Sequence, residues 1–125
     1  MNYRILLVDD EPDILEFVGY NLRREEFEVQ TASNGVEALA VAEQFVPHLV
    51  LLDVMMPEMR GDDLCVSIKS NIDTSHIAVV LISALADQQS IINGLSVKAY
   101  AYVTKPFDMK VLQLTLRNLV ESRRQ

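Results

Sequence analysis

The 125-residue chain is half hydrophobic and 23% charged, with only 4 glycines and 4 prolines; this suits one folded domain with a sizeable core and gives no sign of disorder. Its single cysteine, Cys65, excludes an internal disulfide framework and fits a reducing cytoplasm. A formal net charge of −7 argues against nucleic-acid binding by this chain and favours cations or basic protein surfaces.

"MNYR" passes straight into a short apolar run, without the pattern of a signal peptide. That run, Arg4–Val8, reads as a buried strand. A helix is predicted over Glu11–Glu26, with Ile14, Leu15, Val18 and Leu22 at helical spacing and Pro12 near its start, where a missing N–H is harmless. Phe27–Ala32 alternates like a strand. Asn34 is a plausible cap for a helix over Asn34–Gln44, with Val36, Leu39, Ala40 and Glu43 at helical spacing. His48–Asp53 is a third strand. Gly61–Ser70 is a short helix with Leu64, Cys65 and Ile68 turned inward, where Cys65 reads as a small core residue. Ile77–Ser83 is a fourth strand. A fourth helix is expected over residues 87–97 and a fifth strand over Ala99–Thr104. The last helix, Asp108–Arg124, carries Val111, Leu112, Leu114, Leu116 and Leu119. No apolar run is long enough to span a bilayer. The basic, polar residues 121–125 suit a true terminus or the start of a linker.

Five βα units in a row imply a parallel sheet covered on both faces: a doubly wound, flavodoxin-like three-layer sandwich with five helices. In such sheets ligands bind beyond the carboxyl ends of the strands, near the switch in strand order. For the order 2-1-3-4-5, the first and third strands are neighbours there. The first ends on Asp9 and Asp10, the third on Asp53, the fourth on Ser83, and the fifth on Thr104, Lys105 and Pro106.

Each residue alone has an ordinary reading. Asp10 suits a helix cap, with Asp13 in the first turn; Asp53 a turn; Ser83 a loop hydroxyl; Lys105 a solvated charge; Tyr102 core filler. The joint pattern is harder to dismiss, because a cap accounts for neither Asp9 nor a third acid on the adjacent strand. Two unit charges about 4 Å apart repel by roughly 4 kcal/mol at an effective dielectric near 20, so a proton or a cation must offset them. All-oxygen donors suit a hard divalent ion, magnesium first among them. Neither His48 nor His76 falls at a strand's carboxyl end, which disfavours zinc. A metal, a lysine and a hydroxyl around one carboxylate suggest phosphoryl chemistry, with Asp53 as nucleophile.

At these residues the chain closely resembles the receiver domain of bacterial two-component response regulators. "VDDEPDIL", "LLDVMMPEMRGDDLC", "LISA" and "YVTKPF" carry the resemblance, in order and over nearly the whole chain. It implies one receiver domain over residues 1–125, in which Asp53 accepts a phosphoryl group from a sensor histidine kinase or hybrid kinase. It implies a magnesium pocket of Asp9, Asp10, Asp53 and the Met55 backbone carbonyl, with manganese or calcium as substitutes and Asp10 bound more directly than Asp9. Ser83 would hydrogen-bond the phosphoryl group, Lys105 would pair with it, and Tyr102 would be the switch aromatic. The Lys105–Pro106 peptide would be cis. The expected output is control of a partner protein or output domain, with catalysis limited to the chain's own phosphorylation and slow dephosphorylation.

Some positions depart from the family pattern. Lys98-Ala99-Tyr100-Ala101 replaces the common Gly-Ala-Asp-Asp, which puts in doubt the dimer through helix 4, strand 5 and helix 5 that transcription-factor receivers use, and leaves a weak dimer at most. Arg60 stands where an acid is common. "DTSHI" and the last helix also look like receivers embedded in hybrid sensor proteins. Two other functions compete: a binding module indifferent to phosphate, and an aspartyl phosphohydrolase. The latter usually carries an acid two residues after its nucleophile, where this chain has Met55.

Overall fold

The structure, a computed structural model, describes residues 3–53, 61–72, 74–84, 101–105 and 109–123; for residues 61–63, 65, 83–84, 101–105 and 122–123 it describes the backbone alone. The elements in chain order are β1 (Arg4–Val8), α1 (Pro12–Arg24), β2 (Glu28–Ala32), α2 (Gly35–Phe45), β3 (Leu49–Asp53), α3 (Gly61–Ser70), β4 (Ala78–Ala84), β5 (Ala101–Lys105) and α4 (Met109–Arg123). All strands are parallel, in the order β2-β1-β3-β4-β5. The expected sandwich is therefore present. The helix expected over residues 87–97 lies outside the described residues, as does the side chain of Cys65.

The central strands are apolar on both faces because both faces are covered. Alternate residues of β1, β3 and β4 enter opposite layers. Ile5, Leu7, Leu49, Leu51, Val80 and Ile82 pack with Val18 and Leu22 of α1 and with Leu112, Leu116 and Val120 of α4. Leu6, Val8, Val50, Leu52, Val79 and Leu81 pack with Ala38 and Ala42 of α2 and with Leu64 and Ile68 of α3.

α2 buries a different face from the one its large apolar residues suggest, and α4 buries only part of the expected set, Leu112, Leu116 and in part Leu119. In α2 the buried positions are Gly35, Ala38 and Ala42, while Val36 is 78% exposed. Small side chains let this helix lie close against β1 and β2. In α4 the inward stripe is Leu112, Leu116 and Val120 at four-residue spacing, so Val111 and Leu114 fall on the solvent side. Asn34 caps α2 as expected: its Oδ1 accepts the Glu37 amide at 2.8 Å.

α1 stops two residues earlier than its sequence pattern suggests. Glu26 adopts φ 70°, the Glu26 amide donates to the Arg23 carbonyl, and the Phe27 amide donates to that of Leu22. This left-handed residue satisfies the last carbonyls of α1 and turns the chain into β2. α4 is fastened to the same end of α1. Gln113 Nε2 donates to the Asn21 carbonyl at 3.1 Å, and Arg117 Nη2 donates to that of Glu25 at 2.7 Å. The Arg117 guanidinium also lies over the Phe27 ring, 4.9 Å from its centre. No helix among the described residues is long and apolar enough to cross a membrane.

Candidate metal centre

The register of β1 on β3 brings the acids together. Val8 lies opposite Leu52, so one step further Asp9 and Asp53 come level at the carboxyl edge. The Asp9 amide donates to the Ala32 carbonyl at 3.2 Å, extending the β1–β2 ladder by one bond. Its Oδ1 accepts the Glu11 amide at 2.9 Å. The Asp9 backbone and carboxylate are thus both held by main-chain groups. Nothing in residue type signals those two partners, Ala32 O and Glu11 N–H, and sequence reasoning missed them.

Asp9 is fully buried and Asp53 is 5% exposed, whereas Asp10 is half-buried. One carboxylate oxygen from each of Asp9, Asp10 and Asp53 can be chosen so that all three lie within 4.8 Å of one another. A pair of full charges at that separation repels by at least roughly 3 kcal/mol at an effective dielectric of 20. Burial strengthens the effect, since little water reaches Asp9 or Asp53 to screen it. The donor set is three carboxylates with no sulfur or imidazole, which fits a hard divalent cation. The ordinary reading of Asp10 as a helix cap does not survive. The N-cap of α1 is Glu11, no side chain caps the helix, and Pro12 and Asp13 occupy its first turn as expected.

The same edge collects the other expected residues by backbone register. Asp53 pairs with Ile82, so Ser83 follows one step beyond on β4. Ser83 pairs with Thr104, and Ala84 with Lys105, which places Lys105 at the end of β5. Tyr102 pairs with Leu81, further down the same strand. Met55 and Pro106 lie outside the described residues, and with them the Lys105–Pro106 peptide. His48 precedes β3 at the opposite edge of the sheet, and His76 is exposed in the loop before β4.

The family description "response regulator receiver domain" matches residues 5–117. The chain belongs to the response regulator receiver family. Among solved structures, the receiver domain has the fold of a CheY-like response regulator receiver protein from Methanospirillum hungatei. The TM-score is 0.91 at 26% identity, covering 99% of this chain and 98% of that one. It is 42% identical over 119 residues to response regulator PleD of Caulobacter vibrioides, covering 95% of this chain and 26% of PleD. It is 36% identical over 117 residues to the DNA-binding regulator RpaA of Synechocystis, covering 94% of this chain and 48% of RpaA. It is 40% identical over 119 residues to histidine kinase P4 of Formosa agariphila, covering 95% of this chain and 9% of that protein. The receiver domain thus spans less than half the length of each of these three curated relatives. Family membership makes it a phosphoacceptor switch of two-component signalling.

Proposed function

We propose that Asp53 is the phosphoacceptor of this receiver and that Asp9, Asp10, Asp53 and the Met55 carbonyl hold magnesium. The meeting of three carboxylate oxygens within 4.8 Å on adjacent strand ends carries this reading. A carboxylate nucleophile needs no base. An Asp53 oxygen attacks the phosphorus of a phosphohistidine on a sensor kinase or hybrid kinase. The new O–P bond forms as the P–N bond breaks, and the departing imidazole takes a proton from solvent. Bound magnesium would offset the negative charge shared by the carboxylates and the phosphoryl group. The Ser83 hydroxyl donates to a phosphoryl oxygen, and the Lys105 ammonium, on the residue before a cis Lys105–Pro106 peptide, pairs with another. Movement of Ser83 lets Tyr102 turn inward and changes the face offered to an output domain or partner. The receiver domain acts in the cytoplasm, and it catalyses only its own phosphorylation and dephosphorylation.

Incubation with magnesium and acetyl phosphate is expected to add one phosphoryl mass to the wild-type chain and none to Asp53→Asn. Equal modification of both would overturn the assignment. Met55 and Leu85, two positions beyond Asp53 and Ser83 in sequence, are both apolar, so neither residue type offers a polar side chain to orient an attacking water. The phosphorylated form is therefore expected to hydrolyse slowly. A half-life of seconds, unchanged by Met55→Asn, would contradict this.

A further inference from the structure

At the edge of the sheet far from the acids, Arg4 opens β1 with an amide that points toward β3. The strand-like partner for that amide would be the Val46 carbonyl. The Arg4 guanidinium occupies it instead, with Nε at 3.0 Å and Nη2 at 2.9 Å. Pro47 follows, and the His48 ring then turns back so that its Nδ1 accepts the Arg4 amide at 2.9 Å. The His48 amide in turn donates to the Arg4 carbonyl at 2.9 Å. Tyr3 meets the imidazole edge-on, with ring centres 5.6 Å apart. An imidazole that accepts at Nδ1 carries its proton on Nε2. A second proton would land on the accepting nitrogen, break the bond to Arg4 and set a new cation beside the guanidinium.

We propose that the Arg4–His48 pair is a pH-sensitive clip that fastens β1 to β3 at the amino edge of the sheet and opens in mild acid. The charged and titratable groups near it, among the described residues, come from β1, β2, the segment before β4, and α3, whose Lys69 ammonium donates to the Ile77 carbonyl at 3.0 Å and adds a second cation that opposes protonation. On β1 and just before it these are Arg4 and Tyr3; on β2 it is Glu28, the register partner of Arg4; before β4 it is His76, two residues from Ala78, whose amide bonds the His48 carbonyl. Glu28 favours the cation; Arg4 and Lys69 oppose it. The lost hydrogen bond adds to the effect of Arg4. The unfolded chain therefore takes up this proton more readily than the folded one. The clip's contribution to stability is present above the ordinary histidine range, near pH 6.5, and is lost as pH falls through it.

The chain has only two histidines, so the test is clean. His48→Asn places an amide oxygen where Nδ1 stands and cannot titrate. Melting temperatures are measured between pH 7.5 and pH 5.5 for the wild-type chain, His48→Asn and His76→Gln. Wild type and His76→Gln are expected to lose about 3–6 °C more than His48→Asn over that range. Identical pH profiles for wild type and His48→Asn would overturn the proposal. A readout that needs no variant is NMR of the wild-type chain. Protonation of His48 should coincide with loss of hydrogen-exchange protection at the Arg4 amide. An Arg4 amide that stays equally protected after His48 has charged would also overturn it.

Discussion

At the scale of single residues, the backbone decides as much as the side chains. Glu26 stands at φ 70°, where a residue with a Cβ is strained by roughly 1–2 kcal/mol. Its side chain is exposed and no hydrogen bond from it is needed to turn the chain. Glu26→Gly is expected to raise stability by about 0.5–1 kcal/mol, read as a higher urea midpoint at unchanged slope. Gly19 has the opposite problem. It lies inside α1, and a Cβ there would meet nothing nearer than the Arg23 guanidinium at 3.4 Å, an ordinary contact distance. Gly19→Ala is expected to gain about 0.5–1 kcal/mol in the same titration, because alanine is the better helix former and the site has room. Asp10 is the residue whose meaning changed most. As a helix cap it would have been ordinary, but the cap position belongs to Glu11, and a half-buried acid beside two buried ones remains.

At the scale of elements, Asn34 holds the first turn of α2 through the Glu37 amide, and Asn34→Ala is expected to cost about 1 kcal/mol in chemical denaturation. The strands were readable to within one or two residues because continuous Val, Leu and Ile runs admit few other readings. β1 and α3 fall where their patterns end. The helix faces were less readable. Periodicity weights large side chains, yet α2 packs through Gly35, Ala38 and Ala42, whose smallness is what permits the contact. In α4 the pattern offers more apolar residues than one stripe can bury, and sequence alone does not say that Val111 and Leu114 are the surplus. The acids of the site were legible by type and by their place at strand ends. The main-chain groups that orient Asp9, the Glu11 amide and the Ala32 carbonyl, were not, since every residue has them.

At the scale of the whole molecule, a cation held by the three crowded acids would offset their mutual repulsion and favour the folded state. Anything that binds the folded state alone raises stability by mass action. Magnesium at 100 times its dissociation constant should therefore add about 2.7 kcal/mol, visible as a higher melting temperature. Asp10→Ala should weaken that response while stabilising the metal-free chain, because it removes one of three mutually repelling charges. No magnesium response in the wild-type chain would count against the metal centre. Whether Asp9 and Asp53 come level at all depends on how β1 lies along β3. Both strands are apolar on both faces, so sliding one past the other by a single residue would still bury oil against oil. Hydrophobicity is thus a poor ruler here. A mark that calibrates it lies at the far end: the Arg4–His48 pair, roughly 16 Å from the acids along a five-residue strand. The alignment of oxygens around a cation is in this sense gauged from the opposite rim of the protein.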